Sequence, residues 1–237
     1  MRVSVLFWPP TARRASRAAG GGRVGPATSA VIVDALRATT TLTVALQRGA
    51  ARVVPAATAD QARRLRDQIP GSLLCGERDG RKIEGFDLGN SPFEYPAATV
   101  MNRCLIFAST NGSVALLAAS RARKRLLAAF VNVSSVVKSL EAEREVTIVC
   151  AGKLGRFALE DAACAGLLCQ RLRERGAWLA GASAEAARAL APRNADEVCA
   201  LVQGSAHGRY LRALGPEFAR DVEFCAQLDV VDRTFEV

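Results

Sequence analysis

The residues best suited to chemistry stand close together in VIVDALRATTTLTVAL, residues 31–46. Asp34 ends an apolar, β-branched run and Arg37 follows three positions later. Ala38, Thr39, Thr40 and Thr41 then open a stretch with helical apolar spacing. A buried strand would deliver a carboxylate and a guanidinium to a helix N-terminus, whose first N–H groups lack internal partners. A phosphate fits such a place, gripped by Arg37 in a fork and by the Thr39 and Thr40 amides, while Asp34 holds a metal ion beside it. The plainer reading is a capped strand-to-helix turn, since Asp and Thr are ordinary capping residues.

Two more turns have the same make-up. The apolar run at 104–108 leads into Ser109, Thr110, Asn111 and Gly112, and that at 146–150 leads into Ala151, Gly152, Lys153 and Gly155. In a mostly parallel sheet such strand ends share one edge, where open α/β sheets bind ligands. Asp34 with Arg37, the Thr110–Asn111–Gly112 turn and Lys153 should therefore converge. Residues 76–92, with Glu77, Arg78, Lys82, Glu84, Asp87, Asn90 and Ser91, read as a long irregular loop with a functional role. Asp34, Glu77, Asp87, Glu160 and Asp161 are candidate oxygen ligands for Mg²⁺, which takes one or two carboxylates, waters and phosphate oxygens. Adjacent helical residues point about 100° apart, so Glu160 and Asp161 should not both address one centre, and Asp161 is preferred.

Other chemistries fit poorly. His207 is the only histidine, which excludes a His-based metal cluster, and nothing near it resembles a nucleophile elbow; it reads as a helix-end or supporting residue. Neither phosphate-binding glycine motif is present. Cys75 and Arg81 have the spacing of thiol phosphatases, but Glu77 and Asp79 between them would repel both phosphate and thiolate. An Asp-nucleophile phosphatase of the haloacid-dehalogenase type carries a second acid two residues on, where this chain has Leu36. That favours a metal-ligand role for Asp34 unless another group protonates the leaving oxygen.

Half of the 237 residues are hydrophobic, ample for a core. The net charge of +9 invites a nucleic-acid reading. The arginines are scattered over several elements, however, and aromatics at 5% are too few for a stacking platform. Seven cysteines without a Cys-x-x-Cys pair suit a reducing, cytoplasmic setting. No segment approaches the roughly 20 apolar residues of a membrane span. The elements that must position the candidates are a first strand at 2–8, a basic loop at 11–28, the strand and helix around Asp34, a strand at 52–56 and a helix capped by Thr58. Further on come strands at 72–75 and 126–130, a helix capped by Ser134, a helix at 159–175, mostly helix over 182–214 and a short extended tail beyond Phe218. The expected fold is a three-layer αβα domain over 1–237 with a mostly parallel or mixed sheet and a helical C-terminal segment, with similar halves 1–100 and 101–237 as an option.

The chain resembles the 2-phosphosulfolactate phosphatase family in VIVDALRATTT at 31–41, CGERDGRKIEGFDLGNSP at 75–92, STNGS at 109–113, FVN at 130–132 and CAGKLGRFALEDAACAG at 150–166, and in SAHGRYLRALG and FCAQLD near the end. The resemblance implies an α/β phosphohydrolase that uses Mg²⁺ to cleave the phosphate monoester of (2R)-2-phospho-3-sulfolactate, a step toward coenzyme M. The family's patterned residues fall on Asp34, Arg37, Thr39, Thr40, Glu77, Arg78, Asn90, Ser91, Thr110, Asn111, Gly112, Lys153, Glu160 and Asp161. On that basis Asp34, Arg37 and Asp161 are expected to be catalytic, and Asp34, Glu77, Glu160 and Asp161 to hold the metal. Arg37, Arg78, Thr39, Thr40, Asn90, Ser91, Thr110, Asn111 and Gly112 would bind phosphate, with Lys82 and Lys153 left for the sulfonate and carboxylate. Departures occur at Ala35, Ser113 and the tail after Asp229. The open alternatives are another small phosphorylated 2-hydroxy acid as substrate, or a non-catalytic anion- or nucleic-acid-binding protein; a homodimer is compatible with either enzyme reading.

Overall fold

The computed structural model describes residues 1–9 and 24–237, so most of the expected loop at 11–28 lies outside the described residues. The strands form two sheets. Strands β1 (Arg2–Leu6), β2 (Ser29–Val33), β7 (Lys124–Ala128), β8 (Glu145–Cys150) and β9 (Trp178–Leu179) make an all-parallel sheet in the order β7-β2-β8-β1-β9. Strands β3 (Arg52–Pro55), β4 (Leu73–Arg78), β5 (Arg81–Lys82) and β6 (Cys104–Ala108) make a second in the order β3-β6-β4-β5, with only β5 antiparallel. A cut near residue 100 would pass through both sheets, because β1 and β2 pair with β8 and β7 while β6 pairs with β3 and β4.

Ten α-helices among the described residues cover these sheets: α1 (Ala38–Gln47), α2 (Ala59–Gln68), α3 (Ala97–Val100), α4 (Gly112–Ala118), α5 (Val133–Ser139), α6 (Leu159–Glu174), α7 (Ala182–Ala189), α8 (Ala195–Gly204), α9 (Ala206–Leu214) and α10 (Pro216–Cys225). Strand β2 is buried along its whole length, as a central parallel strand must be. Its alternation divides two cores: Val31 and Val33 pack with α5 and α6, whereas Ala30 and Ile32 pack with α1, α4 and the inner face of the second sheet. Helix α4 touches both sheets, so α1 and α4 form a layer that each sheet shares. The outer face of the second sheet packs Leu74 and Ile106 against Ala62 and Leu65 of α2, whose N-cap Thr58 accepts the Gln61 N–H as expected.

Three sequence expectations change. Residues 76–92 are not irregular throughout, since Gly76–Arg78 complete β4 and Arg81–Lys82 return antiparallel through a turn at Asp79 and Gly80, both at positive φ. Gly76 is required there: a Cβ would lie 1.8 Å from the Ala108 carbonyl oxygen of the neighbouring strand. Trp178–Leu179 adds a ninth strand. The stretch beyond Phe218 is helical, with Pro216 at its start and Phe218, Asp221, Val222 and Cys225 buried at helical spacing. Only afterwards is the chain extended, where Asp229 and Val231 donate N–H bonds to the Phe130 and Val131 carbonyls at 3.0 and 2.8 Å.

Candidate active site

A cavity of about 390 Å³ lies where the carboxyl ends of strands from both sheets meet. The five-stranded sheet contributes Asp34, Leu36 and Arg37 after β2, and Lys153 and Leu154 after β8. The four-stranded sheet contributes Glu77 of β4, Asp79 and Gly80 of its hairpin, and Thr110 and Asn111 after β6. Asn90 and residues Ala206, His207, Tyr210 and Leu211 of α9 complete the wall. Asp34, Asn111 and Lys153 therefore share one cavity, although two sheets deliver them and not one edge. Asn111 links the turns directly, its Oδ1 accepting the Leu154 N–H at 2.8 Å.

Asp34 is held by its own turn. Thr39 donates both its N–H and its Oγ1 hydrogen to the Asp34 carbonyl, at 3.0 and 2.8 Å, and the Ala38 N–H reaches Asp34 Oδ1 at 3.4 Å. No described residue donates to Oδ2. Burial, then the negative charges of Glu77 and Glu160, push the Asp34 carboxyl up to about 7, against the pull of the Ala38 N–H and Arg37. Gly112 gives this carboxylate room, since a Cβ there would lie 2.7 Å from Oδ2 and 2.5 Å from Ala38 Cβ.

The other expected metal ligands are committed elsewhere. Glu77 accepts the Thr110 N–H on Oε1 at 2.7 Å and the Gly80 N–H on Oε2 at 2.8 Å, tying the hairpin to the turn after β6. Asp161 accepts the Ala35 N–H at 2.9 Å and the Gly152 N–H at 2.9 Å, bolting together the turns after β2 and β8; it does not line the cavity. Burial first, then Asp34 and Glu160, hold its carboxyl well above the usual range. Glu160 Oε1 lies 3.3 Å from His207 Nδ1. Burial raises Glu160, but the His207 contact, the residue's own backbone N–H and Ser205 together leave the carboxyl below its ordinary value. Among the described residues no three His, Cys, Asp or Glu side chains are grouped to hold a metal ion. The all-oxygen donor set at the cavity, Asp34 with the neutral Asn90 Oδ1 and Thr110 Oγ1, still fits a hard cation that needs only one or two carboxylates. Both neutral oxygens are buried and without a hydrogen-bond partner.

The expected phosphate binders separate into two groups. Lys153 is on the wall with its ammonium 4.4 Å from the Tyr210 ring centre; burial lowers its pKa, opposed by Glu160, Glu77, Asp34 and Asp79. Arg37 is there too, but its guanidinium bonds Asp221 Oδ2 at 2.5 Å and the Gly80 carbonyl at 2.5 Å and lies over the Phe218 ring. Ser91 donates to the other Asp221 oxygen at 2.5 Å. Thr40 spends its hydroxyl on the Ala35 carbonyl, and the Thr39 hydroxyl hydrogen is shared between the Asp34 and Ala128 carbonyls. Arg78 bonds the Glu77 and Ala57 carbonyls, and Lys82 is exposed on β5; neither lines the cavity. Cys75 is fully buried with its thiol pushed up to about 12 by burial, which removes a thiolate mechanism. Asp221 and Tyr210 escaped sequence reading, and α10 is what brings Asp221 to Arg37.

The sequence profile described as 2-phosphosulpholactate phosphatase matches residues 23–237. The chain belongs to the 2-phosphosulpholactate phosphatase family. A probable 2-phosphosulfolactate phosphatase of Carboxydothermus hydrogenoformans is 37% identical over 233 residues, 98% of this chain and 91% of the relative. One of the same description from Synechococcus sp. strain JA-3-3Ab is 41% identical over 204 residues, 84% of each chain. A third, from Thermotoga petrophila, is 37% identical over 202 residues, 85% of this chain and 86% of the relative. Family membership makes the protein a phosphoric monoester hydrolase by class and gives the Asp34 cavity a reaction to be read against. The seven thiols are all unpaired, and among the described residues no helix is long and apolar enough to cross a membrane.

Proposed function

We propose that the protein hydrolyses the phosphate monoester of (2R)-2-phospho-3-sulfolactate to 3-sulfolactate and phosphate in the Asp34 cavity. The observation that carries this reading is the single cavity lined by Asp34, Lys153, Asn90 and Thr110, with a buried oxygen of each of the last two left without a hydrogen-bond partner. Asp34 would hold Mg²⁺, with Asn90 and Thr110 as neutral donors and Glu77 bracing the Thr110 turn beside it. When bound, the ion would draw charge from the phosphoryl oxygens. Asp34 Oδ2, free of donors among the described residues, is the oxygen available to the cation or to the reacting group. Lys153 supplies a partly desolvated ammonium for the acid groups of the substrate, and Arg37 adds positive potential while fixing the β4–β5 hairpin against α10. Leu36 and Leu211 supply buried apolar wall to the cavity. A cytoplasmic location and a homodimer accompany the proposal, the first resting on seven free thiols in a reducing compartment.

Phosphate release from this ester by purified protein, with Mg²⁺ and with excess chelator, tests the proposal. Release that needs Mg²⁺ is expected. A faster reaction with another phosphorylated 2-hydroxy acid would move the substrate assignment, and no release from any monoester would end it. Tight binding to nucleic acid that weakens steeply with salt would favour the non-catalytic alternative.

A further inference from the structure

The alkoxide that leaves from a phosphate ester of a secondary alcohol is a poor leaving group, so its departure calls for a proton donor. Asp34 has no acid two residues on, because Leu36 stands there. Resting on the phosphatase reading, we propose that His207, oriented by Glu160, is the catalytic residue that protonates the leaving oxygen.

His207 lies on the wall of the cavity that holds Asp34. Its Nδ1 faces Glu160 Oε1 at 3.3 Å, and the Glu160 side chain is only 3% exposed. A ring nitrogen committed to a buried carboxylate fixes the ring and leaves Nε2 as the nitrogen for the ligand. The two residues come from different elements, Glu160 from the first turn of α6 and His207 from the first turn of α9, and the chain has no second imidazole. Asp34 and Lys153 are also proton carriers on the wall, but Asp34 is the cation's ligand in the proposed reading, and Lys153 sits over Tyr210 among Glu160, Glu77, Asp34 and Asp79, which suits it to anion binding. Glu160 is thereby His207's partner and not a metal ligand.

The step balances without another reagent. Water oxygen forms a bond to phosphorus as the bond from phosphorus to the ester oxygen breaks. The electron pair of the broken bond goes to that oxygen, which takes the proton from imidazolium Nε2. Water gives its proton to solvent, and solvent reprotonates the imidazole.

The test compares the proposed substrate with its analogue in which sulfur replaces the bridging ester oxygen, since a thiolate leaves without a proton. His207→Gln should lower kcat on the oxygen ester about a hundredfold or more, while the sulfur ester stays within about fivefold of wild type. Glu160→Gln should show the same contrast at about a tenth of the size. Equal losses on both esters, or none on either, would overturn the assignment; His207→Asn repeats the comparison by a second route if the Gln variant folds poorly. Wild-type protein that releases phosphate from neither ester would instead remove the phosphatase reading, and this inference with it.

Discussion

Two buried aspartates separate the framework of this site from its working part. Asp161, at the start of α6, and Asp34, at the end of β2, are 3% and 6% exposed and belong to the same acidic neighbourhood. Asp161 spends each oxygen on a short backbone N–H bond between two turns. Asp34 has one long contact, a free oxygen and a cavity in front of it. Burial alone therefore does not distinguish structure from function; saturation does, because an unanswered buried carboxylate is tolerated only where something else compensates it.

The sharpest way to break this comparison is to neutralise each acid in turn. Asp34→Asn should cost about a thousandfold or more in turnover while the melting temperature holds or rises; near-normal phosphate release by that variant would refute the contrast. Asp161→Ala should instead strip two N–H groups of their acceptor and cost about 3 kcal/mol, a fall of roughly 6–12 °C in a chain of this size by thermal melting. The pH dependence of stability tells the two apart further. Asp34 has its folded pKa raised to about 7 from an ordinary 3.8, so the native state keeps a proton that the unfolded chain loses. Stability contributed at that group is full below about pH 4 and is lost as pH rises towards 7. In chelator, the melting-temperature advantage of Asp34→Asn over wild type should accordingly grow from pH 4.5 to 7.5, and a constant difference would sink the explanation. Asn111→Ala removes only the bond between the Asn111 and Leu154 turns and should cost about 1 kcal/mol. Lys82→Ala, outside the cavity, should change kcat/KM by less than about twofold, within what exposed charges contribute.

The sequence made the working half of this contrast readable and much of the framework unreadable. An apolar β-branched run ending at Asp34 and followed by Thr39 and Thr40 names its own strand and helix, and the turns at Asn111 and Lys153 repeat the signal. Periodicity identifies strands but not their partners, so the division into two sheets had no local signature. The Asp79–Gly80 hairpin did have one, masked by the polar residues around it. Asp221 was out of reach: it lies 184 positions from Arg37, and as a charged residue on the buried face of α10 it interrupts the apolar pattern that would have announced the helix. Glu77, Glu160 and Asp161 read as candidate metal ligands because sequence lists carboxylates without their partners, and only coordinates reveal which N–H or imidazole each of them serves.

The nesting of the second sheet between β2 and β7 also sets an order of events on the ribosome. Strand β1 pairs only with β8 and β9, and its Arg2 meets Glu145, 143 residues later. Strand β2 likewise waits for β7. Strands β3 to β6 find all their partners among themselves. The middle of the nascent chain can therefore complete its hydrogen bonding while the N-terminal strands are still without neighbours, and the cavity, which needs both sheets, is among the last features to exist.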